Sequence, residues 1–467
     1  MRGRDGTGEI LRLAFPLILS HGSWMIQQIV DRVFLSWVSP EAVAAAMPAG
    51  MMNWTIVSLF TGTAGYVSAF AAQYHGANRD GEIGPVVWQG LAFSLAAGIC
   101  VLPLVLLSPR IFSGIGHPPE VAALERLYFD ILLFGVFPAA ASSALGGFFS
   151  GLGRTSIVMA VTFASTLSNV ALDYAMIFGK WGFPAMGIGG AAAATVISQC
   201  VSLAAYAGLC LPRSVRDRCG FGRGRGFKPA LFGRLLRFGF PNGFHYCLET
   251  SGFTLFLVIV GRFGTTALAA TNIAFNINNL AFMPMIGFGA AASIRVGQKL
   301  GEERPDLAER DTRAIFRMTF VYMALVAAGF VLLPGLFIAP YGFRSDPVRF
   351  APVAALTADL LKFVAFYSLF DTANIVFSAA VKGAGDTRFV MWTSFGLSWG
   401  LMVLPSYIGS RSGSVSLYWM WAFATLYISA LGLAFTARFL RGGWKRMRVI
   451  EPPVKAGVET EAAGIPH

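Results

Sequence analysis

Charge is what this sequence has least of. Only 13% of its 467 residues are Asp, Glu, Lys or Arg, against 55% hydrophobic, where soluble domains usually carry about 25% charge. That balance excludes an ordinary water-soluble globule. Cysteine is scarce as well. Cys100, Cys200, Cys210, Cys219 and Cys247 have no metal-ligand spacing, and four of them lie in or beside apolar runs, so they read as packing thiols. There is no GxxxxGKS/T loop, no HExxH and no separate polar domain. A nucleotide-driven machine and a membrane-embedded enzyme both lose their usual signature. The opening stretch "MRGRDGTGEILRL" leads straight into a long apolar run, without the short apolar region and cleavage site of a secretory signal.

What is present is a series of twelve apolar runs, at roughly 10–38, 45–73, 86–107, 124–148, 157–179, 188–211, 233–261, 268–297, 315–340, 352–380, 389–410 and 416–440. Each is long enough to cross a bilayer, which takes about 20 residues, and the Pro and Gly within them are tolerated in membrane helices. The expected fold is an all-α polytopic membrane protein of twelve spans. The net charge of +12 does not point to nucleic acid, because it is concentrated in connections. Arg213, Arg216, Arg218, Arg223, Arg225 and Lys228 follow span six, and Arg441, Lys445, Arg446 and Arg448 follow span twelve. The connections "SPEA", "GKWGFP", "GRFGTT" and "GSRSGS" on the other side carry few bases. The positive-inside rule then places both termini in the cytoplasm, in a multi-pass protein of the cell (inner) membrane, with lipid as the partner of its basic tracts.

The two halves of the chain repeat each other. At a constant offset of 225, "ILRLAFP" (10–16) falls on "LLRFGFP", "AVAAA" (42–46) on "ALAAT" and "QYHGANR" (73–79) on "QKLGEER", with about 15 identities over about 70 residues and no gap. At an offset of 232, "GLGRTSIVM" (151–159) falls on "GAGDTRFVM". Six spans per repeat is even, so both repeats share one orientation, an arrangement found among secondary transporters. The expected units are a first six-helix lobe at 1–211, a basic inter-lobe linker at 212–232, a second six-helix lobe at 233–445 and a tail at 446–467.

Ionisable groups inside a span cost on the order of 2.5–3.5 kcal/mol each by insertion scales, so those that remain are candidates. Asp31 stands in "MIQQIVDRVFLSW" of span one. Asn169 and Asp173 stand one turn apart on one face of span five, at a comparable depth. The three are expected to meet as a cation or proton site. In the second repeat, Glu249 comes eight residues after Pro241, and Asp371 has Tyr367 one turn before it. A carboxylate beside an aromatic face suits a monovalent or organic cation, and Na+ at Glu249 and Asp371 is the metal this pattern allows. Arg32 either reaches the outer interface or neutralises Asp31. His21 and His245 are core histidines or relays. Arg295 reads as interfacial, Glu125 and Asp130 as solvated, and Asn53, Asn276, Asn278 and Asn279 as cavity lining or helix glue.

These stretches together, with "SNVALDYAMIFGKWGFPAMGIGGAAAATVIS", "AASIRVGQKLGEE" and "KGAGDTR", resemble the multidrug and toxic compound extrusion (MATE) family over about residues 8–445. The resemblance implies twelve helices in two six-helix lobes around a central cavity. It also implies export of amphipathic, often cationic compounds in exchange for H+ or Na+, with no cofactor. Asp31 matches the family's first-helix acid, and Asn169 with Asp173 the fifth-helix pair of DinF-like branches. Glu249 matches the seventh-helix acid of NorM-like branches, and Tyr367 with Asp371 their tenth-helix pair. The mixture leaves the coupling ion open. Pro16 and Pro241 remove backbone hydrogen bonds and let spans one and seven bend. One chain supplies both lobes, so a monomer is expected. The alternative is a lipid-linked oligosaccharide flippase of related architecture, which needs a cavity rich in Arg or Lys for pyrophosphate.

Overall fold

The computed structural model describes residues 5–222, 226–343, 346–412 and 416–451. Arg223, Arg225 and the tail beyond Glu451 lie outside the described residues. The first repeat forms α1 (Asp5–Val38), α2 (Pro40–Gly65), α3 (Val67–Gly76), α4 (Ile83–Ile115), α5 (Pro119–Leu133), α6 (Val136–Gly151), α7 (Thr155–Phe178) and α8 (Ile188–Cys210), followed by the short α9 (Arg213–Arg218). The second forms α10 (Pro229–Val260), α11 (Thr265–Gly301), α12 (Pro305–Leu332), α13 (Pro334–Gly342), α14 (Pro347–Ala384), α15 (Thr387–Leu397), α16 (Leu404–Ser412) and α17 (Leu417–Leu440). The fold is all helical and matches the twelve-span architecture. Two spans are interrupted: α2 and α3 meet at Tyr66, and α5 and α6 bend by 43° at their junction. A wide π turn at Ser398–Val403 separates α15 from α16.

Local signals set the ends. Ser39 Oγ accepts from the Ala42 amide at 3.1 Å, and Pro40 opens α2 with its fixed φ. Asp346 caps α14 in the same way, ahead of Pro347. At the far end of α14, Gly385 adopts φ +116°, a left-handed conformation that stops the helix. Pro16 cannot donate to the Arg12 carbonyl four residues back. The Thr155 hydroxyl of α7 lies 3.5 Å from that carbonyl instead.

The helices pack as two bundles. Within the first, α1 lies on α7, α7 on α8, and α2 on α5 and α6. Within the second, α14 is central, against α11, α12 and α17. The bundles meet where α1 and α3 touch α11 and where α2 touches α10. Small residues permit this approach, as in membrane helix pairs generally: a Cβ on Gly62 would lie 2.7 Å from Gly243 Cα, and one on Gly287 would lie 2.5 Å from Ile18 Cγ1. Residues 62 and 287, and 18 and 243, are mates at the offset of 225, so the two contacts are one contact made twice. All of these approaches fall in the part of each helix nearer the chain termini.

That end is tied further. Arg295 is buried and pairs with Asp311 (2.7 Å) and Glu9 (3.1 Å), which corrects the interfacial reading of Arg295. Glu125 is corrected too. It is fully buried, with His117 Nδ1 2.7 Å from its carboxyl. Asp130 pairs with Arg126 at 3.4 Å.

Candidate ion-coupling site

The first-half site is built by α1 and α7. Asp31 is 8% exposed, and Asn169 and Asp173 are fully buried. Asn169, with its amide nitrogen toward the acids, donates to Asp31 Oδ1 and Asp173 Oδ2, each at 3.1 Å, and Gln27 is 3.1 Å from the same nitrogen. The two carboxyls are also within hydrogen-bonding reach of each other. The structure brings Asp31, Asn169 and Asp173 together. Helix periodicity brings Asn169 and Asp173 together, and Gln27 and Asp31 likewise stand one turn apart on α1. The helices are pinned one to two turns below by Ser23 Oγ and Thr166 Oγ1 at 3.0 Å. Tyr128 of α5 stands close enough to feel both acids. Arg32 is exposed and makes no ion pair with Asp31 among the described residues.

The second-half site is built by α10, α14 and α17. Asp371 is 6% exposed and accepts from Asn374 Nδ2 at 2.8 Å. Tyr367 is buried one turn away and lies within electrostatic range of Asp371. Glu249 of α10 and Tyr427 of α17 complete the group, each near enough to interact with Asp371. Asn278 of α11 reaches Ser368, one turn from Asp371, at 3.5 Å. Pro16 and Pro241 sit inside the continuous helices α1 and α10, on the terminus side of the acids those helices carry.

Sequence reasoning missed Gln27, Tyr128, Asn374 and Tyr427, which are uncharged and have no signal beyond helical spacing from an acid. It also missed Lys382, a buried base near the end of α14, within electrostatic range of Glu249 and His245. A cleft of about 470 Å³ lined by both halves, with Arg12, His75 and Arg154 facing Gln298, opens at the terminus end.

The sequence pattern of the MatE family matches residues 16–175 and 241–408, one stretch in each half, so the matched segments hold every acid of both sites. The chain belongs to the MatE family. This MatE chain is 29% identical over 398 residues to the multidrug resistance protein NorM of Burkholderia vietnamiensis, covering 84% of this chain and 85% of that one. It is 29% identical over 462 residues to a probable multidrug resistance protein NorM of Pseudomonas aeruginosa, covering 94% and 90%. Its fold is similar to that of a MOP superfamily transporter from Pyrococcus furiosus, described as having a binding pocket of reverse polarity, with TM-score 0.84, 19% identity and coverage of 96% and 98%. An outward-facing multidrug resistance MATE family transporter gives TM-score 0.84 at 19% identity, covering 94% and 96%. The MatE chain is therefore a multi-pass membrane transporter.

Proposed function

We propose that this MatE chain is a secondary active multidrug exporter, moving amphipathic and cationic compounds against H+ or Na+ by alternating access. The observation that carries the reading is a carboxyl set in each half: buried Asp31 and Asp173 bridged by Asn169, and buried Asp371 beside half-buried Glu249. Two carboxyls in mutual reach hold one proton between them more readily than two negative charges, so the first set suits H+. The second set, with Asn374, Tyr367 and Tyr427 around its acids, suits Na+ or an organic ammonium.

The moving units in this reading are the lobes at 1–211 and 233–445, joined by 212–232. The close approaches between bundles all lie toward the termini, which supports a state closed at that end. The basic connections support a cytoplasmic position for that end and for both termini, in a protein of the inner membrane. A single chain works alone and carries out no covalent chemistry. If ion binding weakens drug binding at linked acids, drug binding weakens ion binding by the same factor.

The test is dye efflux from proteoliposomes under an H+ gradient or a Na+ gradient imposed separately. Asp31→Asn is expected to abolish efflux driven by the H+ gradient while the protein stays folded; undiminished efflux overturns the role of Asp31. The flippase reading needs several inward bases for pyrophosphate. Among the described residues the buried bases are Lys382 and Arg295, and Arg295 is already paired with Asp311.

A further inference from the structure

Lys382 is 9% exposed, and among the described residues its ammonium has no hydrogen-bond or ion-pair partner. Glu249 is within electrostatic range of it without forming an ion pair, and the Tyr246 ring centre lies 4.9 Å from Lys382 Nζ. Beside it stands His245, 7% exposed, whose Nδ1 is buried and unpartnered. A buried charge without an ion-pair partner and a buried imidazole nitrogen without a hydrogen bond are both destabilising unless a ligand satisfies them. His245 lies on α10, which packs against α2, and Lys382 lies on α14, which touches α3.

The surroundings fix this spot and leave its polar atoms free. The Lys382 carbonyl accepts from Tyr66 OH at 2.6 Å, and the next carbonyl, that of Gly383, accepts from Gln73 Nε2 at 3.0 Å. The backbone of α14 is thus clamped to the first half, while the lysine side chain is directed to Tyr246, which is 43% exposed. Tyr246 itself packs against Gly62 of α2. Lys382 therefore lies beside the contact that ties α14 to the first half, on the terminus side of Asp371. At 1.5 Å per residue, His245 is about 6 Å below Glu249 along α10, and Lys382 is about 16 Å below Asp371 along α14.

We propose that Lys382 and His245 form a subsite for an anionic group, a carboxylate, on the transported solute. The preferred solute is then a zwitterion: its carboxylate is held by the Lys382 ammonium and an N–H of His245, and its ammonium is drawn up toward Glu249 and Asp371. This rests on the reading of Glu249 and Asp371 as the cation-attracting pair, and it adds the opposite pole to that site. Lysine supplies a point charge with three rotatable donors, which suits one carboxylate at varied angles.

The experiment uses the full-length protein and two forms of one rhodamine dye, the free carboxylic acid and its methyl ester. Binding to purified protein is read by fluorescence anisotropy and efflux is read in proteoliposomes. Lys382→Met is expected to lower the ratio of acid to ester affinity at least about tenfold, with Lys382→Arg restoring most of it. Glu249→Gln is expected to weaken both dyes, since both carry the cation. A ratio unchanged within about twofold in Lys382→Met overturns the anion subsite. Ester binding unaffected by Glu249→Gln overturns the cation-attracting pair instead, so the two failures are distinguishable. If Lys382→Met fails to fold, the same ratio read in Lys382→Gln decides the question by the same limits.

Discussion

Gln73 and Gln298 donate the same hydrogen bond across the molecule in opposite directions. Gln73 Nε2 reaches the Gly383 carbonyl at 3.0 Å, and Gln298 Nε2 reaches the Gly151 carbonyl at 2.9 Å. The glutamines are mates at the offset of 225 and the glycines at the offset of 232. Two weak sequence matches thus describe one pseudo-two-fold contact. Next to it, a Cβ on Gly76 would fall inside the Gln298 carbonyl, and a Cβ on its mate Gly301 inside the Gln73 carbonyl. The terminus end is closed by a paired clasp.

Breaking half of the clasp is expected to open that end. Gln73→Leu leaves the Gly383 carbonyl and the Val449 amide without their partner, at a cost of about 1–3 kcal/mol for each buried group left unpaired. The open-to-closed ratio is expected to rise at least about fivefold. Spin-label distances between the terminus ends of α3 and α11 check this. A distance distribution identical to that of the unchanged protein contradicts it.

The spans, the repeat and the acids were legible because each is a contrast against a uniform background: apolar length, self-similarity, and charge inside an apolar run. The partners of the acids were not. Whether Tyr128 or Tyr174 faces Asp173 depends on the rotation of α5 and α7, and a chain whose faces are apolar all round carries no amphipathic stripe to report it. Glu125 was misread as solvated because the rotation of α5, which decides whether its side chain points inward, leaves no mark in an apolar sequence. Lys382 was missed because "KGAGDTR" reads as the basic end of a span, where a lysine ordinarily reaches the interface.

In the first half, Asp31→Asn and Asp173→Asn keep the shapes of their side chains but replace the shared proton site with an amide. Each is expected to reduce H+-driven efflux by at least about tenfold. The double variant is expected to be no worse than either alone within about twofold, because residues of one network are strongly non-additive. Initial efflux rates in proteoliposomes for the four proteins give the cycle. Independent, multiplicative losses contradict a single shared site.

Sodium offers a separate check on the second half. If Asp371 and Glu249 hold Na+, adding NaCl in place of KCl is expected to raise the melting temperature of the purified protein, since a bound ion stabilises the folded state by mass action. Asp371→Asn is expected to remove the increment while Asp31→Asn retains it. Equal increments in all three proteins show that Na+ acts elsewhere than Asp371 and Glu249.

Arg295 and Asp311 form a buried pair, with Arg295 Nε and Nη2 on one carboxyl oxygen at 3.0 and 2.7 Å. Removing one partner leaves the other charge stranded, which in buried pairs costs about 3–5 kcal/mol. Arg295→Met is expected to lower the thermal midpoint sharply. Arg295→Met with Asp311→Leu is expected to recover most of the loss, because two apolar side chains replace two desolvated charges. A double variant as unstable as the single one shows that the ionic contact itself stabilises the junction of α11 and α12.

The segment after α17 crosses from the second bundle onto the first. Val449 and Ile450 are buried, and the Val449 amide donates to Gln73 Oε1 at 2.9 Å. The Tyr74 hydroxyl reaches the Glu451 carboxyl at 2.9 Å, Arg79 reaches its carbonyl at 3.0 Å, and Arg234 pairs with Glu451. Gln73 thus holds α14 with its nitrogen and this strap with its oxygen. The Glu451 ion pair is half exposed and worth at most about 1 kcal/mol; burial of Val449 and the amide bond to Gln73 carry the rest. A chain ending at Arg448, compared with one ending at Glu451, isolates these three residues. The shorter chain is expected to melt several degrees lower and to show the same opening of the terminus end as Gln73→Leu. Combining the truncation with Gln73→Leu is then expected to add less than the sum, since both remove the same bond. Full additivity shows that the strap acts apart from the clasp.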